Sequence, residues 1–211
     1  MRPPTQADLV RVLEVEGILD DRVLDAFRSV PRAFFVPPDL VEQAYLDVPL
    51  PIPHDQVTTQ PSLVARMLEA LSLAGGERVL EIGTGYGFQA ALLAQLASSV
   101  WSVERFADLA EFAKAALSDQ RIENVQVVVG DGSVGLPEHA PYDSVVVSAA
   151  HPRVPPPLAE QLAPQGRLVQ PLGPGGSEDV VLFVRGAEGL VRRRSLTGAR
   201  FVRLYGRHGF S

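Results

Sequence analysis

The sequence predicts an α/β fold: a doubly wound, mostly parallel sheet preceded by a helical region and closed by antiparallel strands. Three observations predict it. From Glu77 onward, short β-branched runs alternate with stretches of helical composition. Those runs are apolar throughout, as strands covered on both faces are. Finally, a glycine-rich turn joins the first run to the helix after it, where an open parallel sheet receives its ligand.

Composition bounds the class. The 211 residues are 46% apolar and 21% charged, enough for a real core and unlike a disordered chain or a coiled coil. Eighteen glycines and eighteen prolines predict many punctuated turns. No apolar run reaches bilayer length, and Met1 precedes Arg2, Pro3 and Pro4 rather than an apolar signal core, so a soluble, cytoplasmic protein is expected. Cysteine is absent, which removes disulfides, Cys-ligated zinc and any thiolate nucleophile. A net charge of −6 disfavours a dedicated nucleic-acid binder. The charge is uneven, because Gly186 to Ser211 sets six arginines against Glu188 alone.

Three stretches follow from the patterning. Residues 1–76 carry apolar positions at helical spacing, as in Leu9, Val12, Leu13 and in Leu63, Val64, Met67, Leu68, Leu71. Residues 77–173 supply the sheet, with strands expected at Arg78 to Ile82, Val100 to Glu104, Val125 to Val129, Ser144 to Ser148 and Arg167 to Gln170. Phe88 to Ala97, Ala107 to Leu117 and Pro156 to Leu162 are the crossover helices between them, which makes the connections right-handed. Residues 174–211 read as antiparallel edge strands at Val180 to Val184, Leu190 to Leu196 and Arg200 to Tyr205.

The segment from Val79 to Gln89 runs as a strand into Gly83-Thr84-Gly85-Tyr86-Gly87 and then opens a helix. A dinucleotide fingerprint would place a third glycine at Phe88, so the alternating glycines suit instead an uncharged adenosyl group lying against bare backbone. Glu104 ends the second strand, where an acid can accept both ribose hydroxyls. At the end of the third, Gly130-Asp131-Gly132 offers a second carboxylate, suited either to an adenine amino group or to plain turn chemistry.

These residues resemble the class I S-adenosylmethionine-dependent methyltransferases, and the flanks narrow the resemblance to the protein-L-isoaspartate O-methyltransferases. Val30 to Pro37, Ala44-Tyr45, Pro49 to Ile52 and Gln60-Pro61 are similar to that family's N-terminal region. The likeness continues through Gln89-Ala90-Ala91, Gly130-Asp131-Gly132, Tyr142-Asp143, Ser148-Ala149-Ala150, Gly166 to Val169 and Arg200-Phe201-Val202. It implies a Rossmann-like fold, S-adenosyl-L-methionine as cofactor, and as substrate the carboxylate of L-isoaspartyl residues in damaged proteins and peptides, methylated toward repair. It further implies a cofactor site of Glu81, Gly83, Thr84, Gly85, Gln89, Glu104, Arg105, Asp131 and Gly132. Gln56, Val57, Thr58, Thr59, Ala149 and Ala150 would meet the substrate, with Thr59 as the catalytic hydroxyl.

One stretch departs from the family pattern, roughly Gly-x-Gly-Gln-Thr-Ile-Ser-x-Pro. Here Pro53-His54-Asp55-Gln56-Val57-Thr58-Thr59-Gln60-Pro61 lacks both glycines and has Thr59 where the family carries serine. Threonine keeps the hydroxyl but stiffens χ1, and Asp55 could repel a carboxylate substrate. Thr59 two residues before Pro61 also fits a helix cap. His151 and Arg203 are lesser departures.

The implied chemistry needs no general base, since a carboxylate near pKa ~4 is already ionised at neutral pH. The histidines His54, His139, His151 and His208 have no metal-ligand spacing, so no metal is expected. Among the alternatives, C5 methylation of pyrimidines would need a cysteine. Amino methylation of bases would need an Asn/Asp-Pro-Pro-aromatic motif where Ser148-Ala149-Ala150-His151-Pro152 stands. An altered carboxylate substrate, such as an aspartyl residue of a dedicated peptide, and a catalytically silent cofactor-binding module remain open.

Overall fold

A computed structural model describes residues 2–211. Seven strands form one sheet in the order β5-β4-β3-β6-β7-β8-β9. They are β3 (Arg78–Ile82), β4 (Ser99–Glu104), β5 (Val125–Val129), β6 (Tyr142–Val147), β7 (Leu162–Leu172), β8 (Glu178–Gly186) and β9 (Gly189–Ala199). The first five are parallel neighbours, while β8 and β9 return antiparallel. This is the mixed, doubly wound sheet the sequence predicts.

Period-two alternation explains the apolar runs. Along β3, Val79 packs into the core on one face and Leu80 into that on the other; along β6, Val146 and Val145 divide in the same way. The first face is covered by helices α1 (Gln6–Val15), α2 (Asp21–Ser29), α3 (Pro61–Leu71), α4 (Phe88–Leu96) and α5 (Ala107–Asp119). Leu158 of α6 (Pro156–Glu160) and Leu136 help to cover the second. Helix α4 is enclosed on nearly every side, so its sequence is apolar all round rather than striped.

The N-terminal helices begin as their sequences direct. Thr5 and Asp8 form a reciprocal capping box on α1, and the Asp20 carboxylate accepts the Arg22 N–H at the start of α2. Within α1 the buried residues are Leu9, Val10 and Leu13, so Val12, expected inside, faces solvent at 39% exposure. The helix is turned by one position because Val10 packs inward.

Three further expectations are corrected. Pro156 to Leu162 is helical only to Glu160, because β7 starts at Leu162. Arg200 to Tyr205 is not a strand of the sheet: the chain leaves β9 and crosses the carboxyl ends of the strands, pairing with Ala150 through a single parallel bridge at Arg203. A small separate hairpin, β1 (Leu50–Ile52) with β2 (Gln56–Thr58), adds two strands to a region expected to be helical. Three residues per strand are too few to show a period.

Candidate active site

The last rungs of the parallel ladder fix the rim. Gly83 N–H donates to the Val103 carbonyl, Ser148 N–H to the Ile82 carbonyl, and Gly130 N–H to the Glu104 carbonyl. The turns after β3, β5 and β6 are thus tied to neighbouring strand ends. In the first of them Gly83, Gly85 and Gly87 all have positive φ, which only glycine adopts freely. Gly132 serves closeness instead, since a Cβ there would lie 2.3 Å from Ile82 Cγ2.

Buried carboxylates hold this backbone. Glu104 accepts the Gly85 N–H at 2.9 Å and the Phe106 N–H at 3.1 Å, so the acid at the end of β4 also fixes the glycine turn. Beneath it Glu81 is fully enclosed and accepts from Gln89 Nε2 at 3.0 Å and from the Ser102 hydroxyl. Ser102 in turn meets Thr84 Oγ1 at 2.5 Å. Burial pushes the Glu81 carboxyl up to about 8; the Ser102 and Gln89 hydrogen bonds oppose that rise and the nearby Glu104 charge adds to it. Glu81 is therefore a proton-holding support under the turn.

Above the rim lies a cleft, open to solvent, between the glycine turn and the hairpin. Of the residues singled out in the sequence, Gly83, Thr84, Gly85, Gln89, Glu104, Arg105, Gly132, Gln56, Val57, Thr58, Thr59 and Ala149 all line it. Glu81, Asp131 and Ala150 do not. Asp131 turns toward the C-terminal segment, accepting the Arg207 N–H at 2.7 Å and the Ser133 N–H at 2.9 Å. Burial alone would raise the Asp131 carboxyl, but these bonds outweigh it and hold the group below the ordinary range. Ala150 is spent on backbone pairing with Val202 and Leu204.

The hairpin is anchored by Arg32, to which the sequence reading gave no role. Its guanidinium is buried and donates to the carbonyls of Ala44, Leu46 and Val48 and to Thr58 Oγ1 at 2.9 Å. Burial lowers its pKa to about 10, against the pull of Asp47, which leaves it charged at neutral pH. Thr58 thus offers the cleft its backbone while its hydroxyl faces Arg32. Thr59 is half-buried, and its hydroxyl is not a cap: α3 is capped from outside by Asp47, which accepts the Ser62 N–H at 2.8 Å. Ser148, also unassigned in the sequence, lines the cleft and accepts from Gln89 Nε2 at 3.0 Å. An arginine inside an apolar segment is the available signal for Arg32, and the run Ser148-Ala149-Ala150 that for Ser148.

Against this geometry, residues 4–209 match the family described as protein-L-isoaspartate (D-aspartate) O-methyltransferase. The chain belongs to that family. A protein-L-isoaspartate O-methyltransferase of Anaeromyxobacter dehalogenans is 54% identical over 190 residues, 89% of this chain and 91% of the relative. One of Methanoculleus marisnigri is 49% identical over 94% of this chain and 90% of its own. A solved protein-L-isoaspartate O-methyltransferase superposes with TM-score 0.85 at 31% identity, covering 97% of this chain and 67% of the other. A Plasmodium falciparum structure in complex with S-adenosyl-L-homocysteine shares the fold, with TM-score 0.83 at 21% identity and coverage of 96% and 99%. Family membership carries the reaction class, S-adenosylmethionine-dependent methylation of isoaspartyl carboxylates.

Proposed function

We propose that this chain repairs damaged proteins by methylating L-isoaspartyl carboxylates, with transfer occurring at Thr59. One observation carries the assignment of the site. A second open groove meets the cleft, and Val57, Thr59, Ser148 and Val202 line both. A cofactor in the cleft and a peptide in the groove would face each other across these four residues.

The cleft fits the cofactor. Its glycine turn leaves space a Cβ would fill, Glu104 retains lone pairs for a ribose diol, and Gln89 Oε1 is buried without a hydrogen-bond partner. When bound, S-adenosylmethionine supplies a methyl group on a sulfonium, an electrophile that needs no activation. The chain's residues then align and desolvate. Glu104 and the turn at Gly83 to Gly85 hold the nucleoside, and Arg105 and Gly132 bound it. Thr59 donates its hydroxyl to one carboxylate oxygen, and Gln56, Val57 and Ala149 wall the other side. Orientation of this kind supplies up to ~7–11 kcal/mol of barrier reduction. No base is needed, because the attacking carboxylate is already ionised.

The groove holds one arginine beyond an ion pair, with Glu16 itself in the lining. It is walled by Arg66, bonded to Glu16, and by Arg200, whereas Asp55 lines neither cavity and stands exposed at the hairpin turn. The repulsion foreseen for Asp55 is therefore weakened by distance and solvent. The same proposal has the enzyme act in the cytoplasm on protein and peptide substrates, without metal, nucleic acid or membrane. The net charge of −6 supports the exclusion of polyanions; no helix is long and apolar enough to cross a membrane, and no metal-binding cluster occurs among the described residues.

Paired peptides differing only in aspartate or isoaspartate, incubated with methyl-labelled S-adenosylmethionine, test the reading. Label is expected on the isoaspartyl peptide alone. Equal labelling of both, or of neither, would overturn it.

A further inference from the structure

The hairpin that roofs the cleft should be unstable by itself. Two-stranded hairpins are marginal in water even when long, and this one has three residues per strand. Its three-residue turn, Pro53 to Asp55, sets His54 at φ 63° and Asp55 at φ 55°, left-handed conformations that cost non-glycine residues about 1 kcal/mol or more each. Something must hold it down at both ends. Arg32 and Thr58 secure the base. At the tip, the His54 imidazole lies flat on the Phe106 ring, with centroids 4.1 Å apart and planes 5° from parallel. His54 Nε2 also meets both carboxylate oxygens of Asp108, at 2.9 and 2.8 Å.

This contact bridges the mouth of the cleft. Ile52, Gln56 and Val57 line one side from the hairpin, while Arg105 and Leu109 line the other from around the start of α5. His54 belongs to the first group's turn, Phe106 and Asp108 to the second. Arg105 extends the link, its guanidinium lying 4.8 Å from the Phe106 centroid and 4.9 Å from that of Tyr205 in the C-terminal segment. The Asp108 carboxyl lies below its ordinary range, first because of the His54 hydrogen bond.

We propose that His54 is a positioning residue whose contacts with Phe106 and Asp108 latch the hairpin across the cleft, so that cofactor exchange requires the latch to open. The inference deepens the proposed function, since the latched hairpin is the one that carries Thr59.

Release of S-adenosylhomocysteine, measured without peptide by stopped-flow displacement, tests the latch separately from isoaspartyl activity. Both His54→Ala and Asp108→Asn should speed release about 3- to 10-fold, a modest effect because exposed polar contacts are weak singly. His54→Phe, which keeps the stack and loses the hydrogen bond to Asp108, should fall between His54→Ala and the parent. In turnover assays the KM for S-adenosylmethionine should rise more than kcat changes. An unchanged release rate in either His54→Ala or Asp108→Asn overturns the proposal, and so does a lowered melting temperature unaccompanied by faster release.

Discussion

The two walls of the cleft are built in opposite ways. The rim wall grows out of buried parallel strands, and its turns are fixed by the same backbone ladder that fixes the sheet. The hairpin wall buries only Leu50 and Ile52, Leu50 in a small cluster with Val36 and Ala44, and is otherwise held by point contacts: Arg32 at the base and His54 at the tip. A rim specified by the fold is rigid where a charged cofactor must be aligned. A roof specified by a few side chains can open without disturbing the sheet, and it carries the hydroxyl assigned to the substrate.

The largest expected effect comes from breaking the hairpin's base. Arg32→Met keeps most of the side-chain volume but leaves the carbonyls of Ala44, Leu46 and Val48 without their side-chain donor, and Thr58 Oγ1 with only the Leu50 N–H. Unsatisfied buried acceptors and the loss of a charged donor should cost on the order of 3–5 kcal/mol. Urea unfolding that shows less than about 1 kcal/mol would mean the hairpin is held by something else.

On the rim side the comparable effect is a slope in pH. Glu81 keeps its proton up to about 8 when folded, whereas the unfolded carboxyl ionises near 4.5. Between those values the unfolded state binds fewer protons, so stability should fall as pH rises, by up to about 1.4 kcal/mol per unit. Glu81→Gln removes the titration and should flatten that part of the profile. An equally steep profile in the variant would assign the dependence to another group.

Glu104→Ala attacks the rim where the cofactor is proposed to lie. It removes the proposed ribose acceptor and frees the Gly85 and Phe106 N–H groups together. S-adenosylmethionine binding should weaken by roughly 1.5–3 kcal/mol. Calorimetric titration giving an unchanged affinity would take Glu104 out of the site.

The same contrast sets what could be read from the sequence. The five parallel strands and the glycine turn were legible, because burial on both faces leaves continuous apolar runs and a tight turn leaves glycines. The hairpin was not, since strands of three residues carry no period and its anchors lie far off in sequence: Arg32 is 26 residues from Thr58, and His54 is 54 from Asp108. The family resemblance puts Glu81 and Asp131 at the cofactor site; their side chains face the support beneath the turn and the C-terminal segment. Motif spacing locates a residue on the rim without saying which way its carboxylate points. Arg200 to Tyr205 misled for a related reason, as its apolar alternation serves a crossing over the rim rather than an eighth strand.

The smallest expected effect on binding or stability, and the sharpest on chemistry, belongs to Thr59. A capping role would make Thr59→Val cost about 1 kcal/mol of stability with normal turnover. That role is already filled by Asp47 on the Ser62 N–H, so stability should change by less than about 0.5 kcal/mol. Valine keeps the branched shape and deletes only the donor, so a positioning hydroxyl predicts turnover lowered by about 10- to 100-fold, ~1.4–2.7 kcal/mol of transition-state stabilisation. Thr59→Ser should keep most activity or exceed it, since the hydroxyl stays and χ1 is freed. Melting temperature and turnover measured on the same two variants separate the cases. Full activity in Thr59→Val would remove the hydroxyl from the mechanism and leave the backbone of Gln56 to Thr58 as the hairpin's contribution.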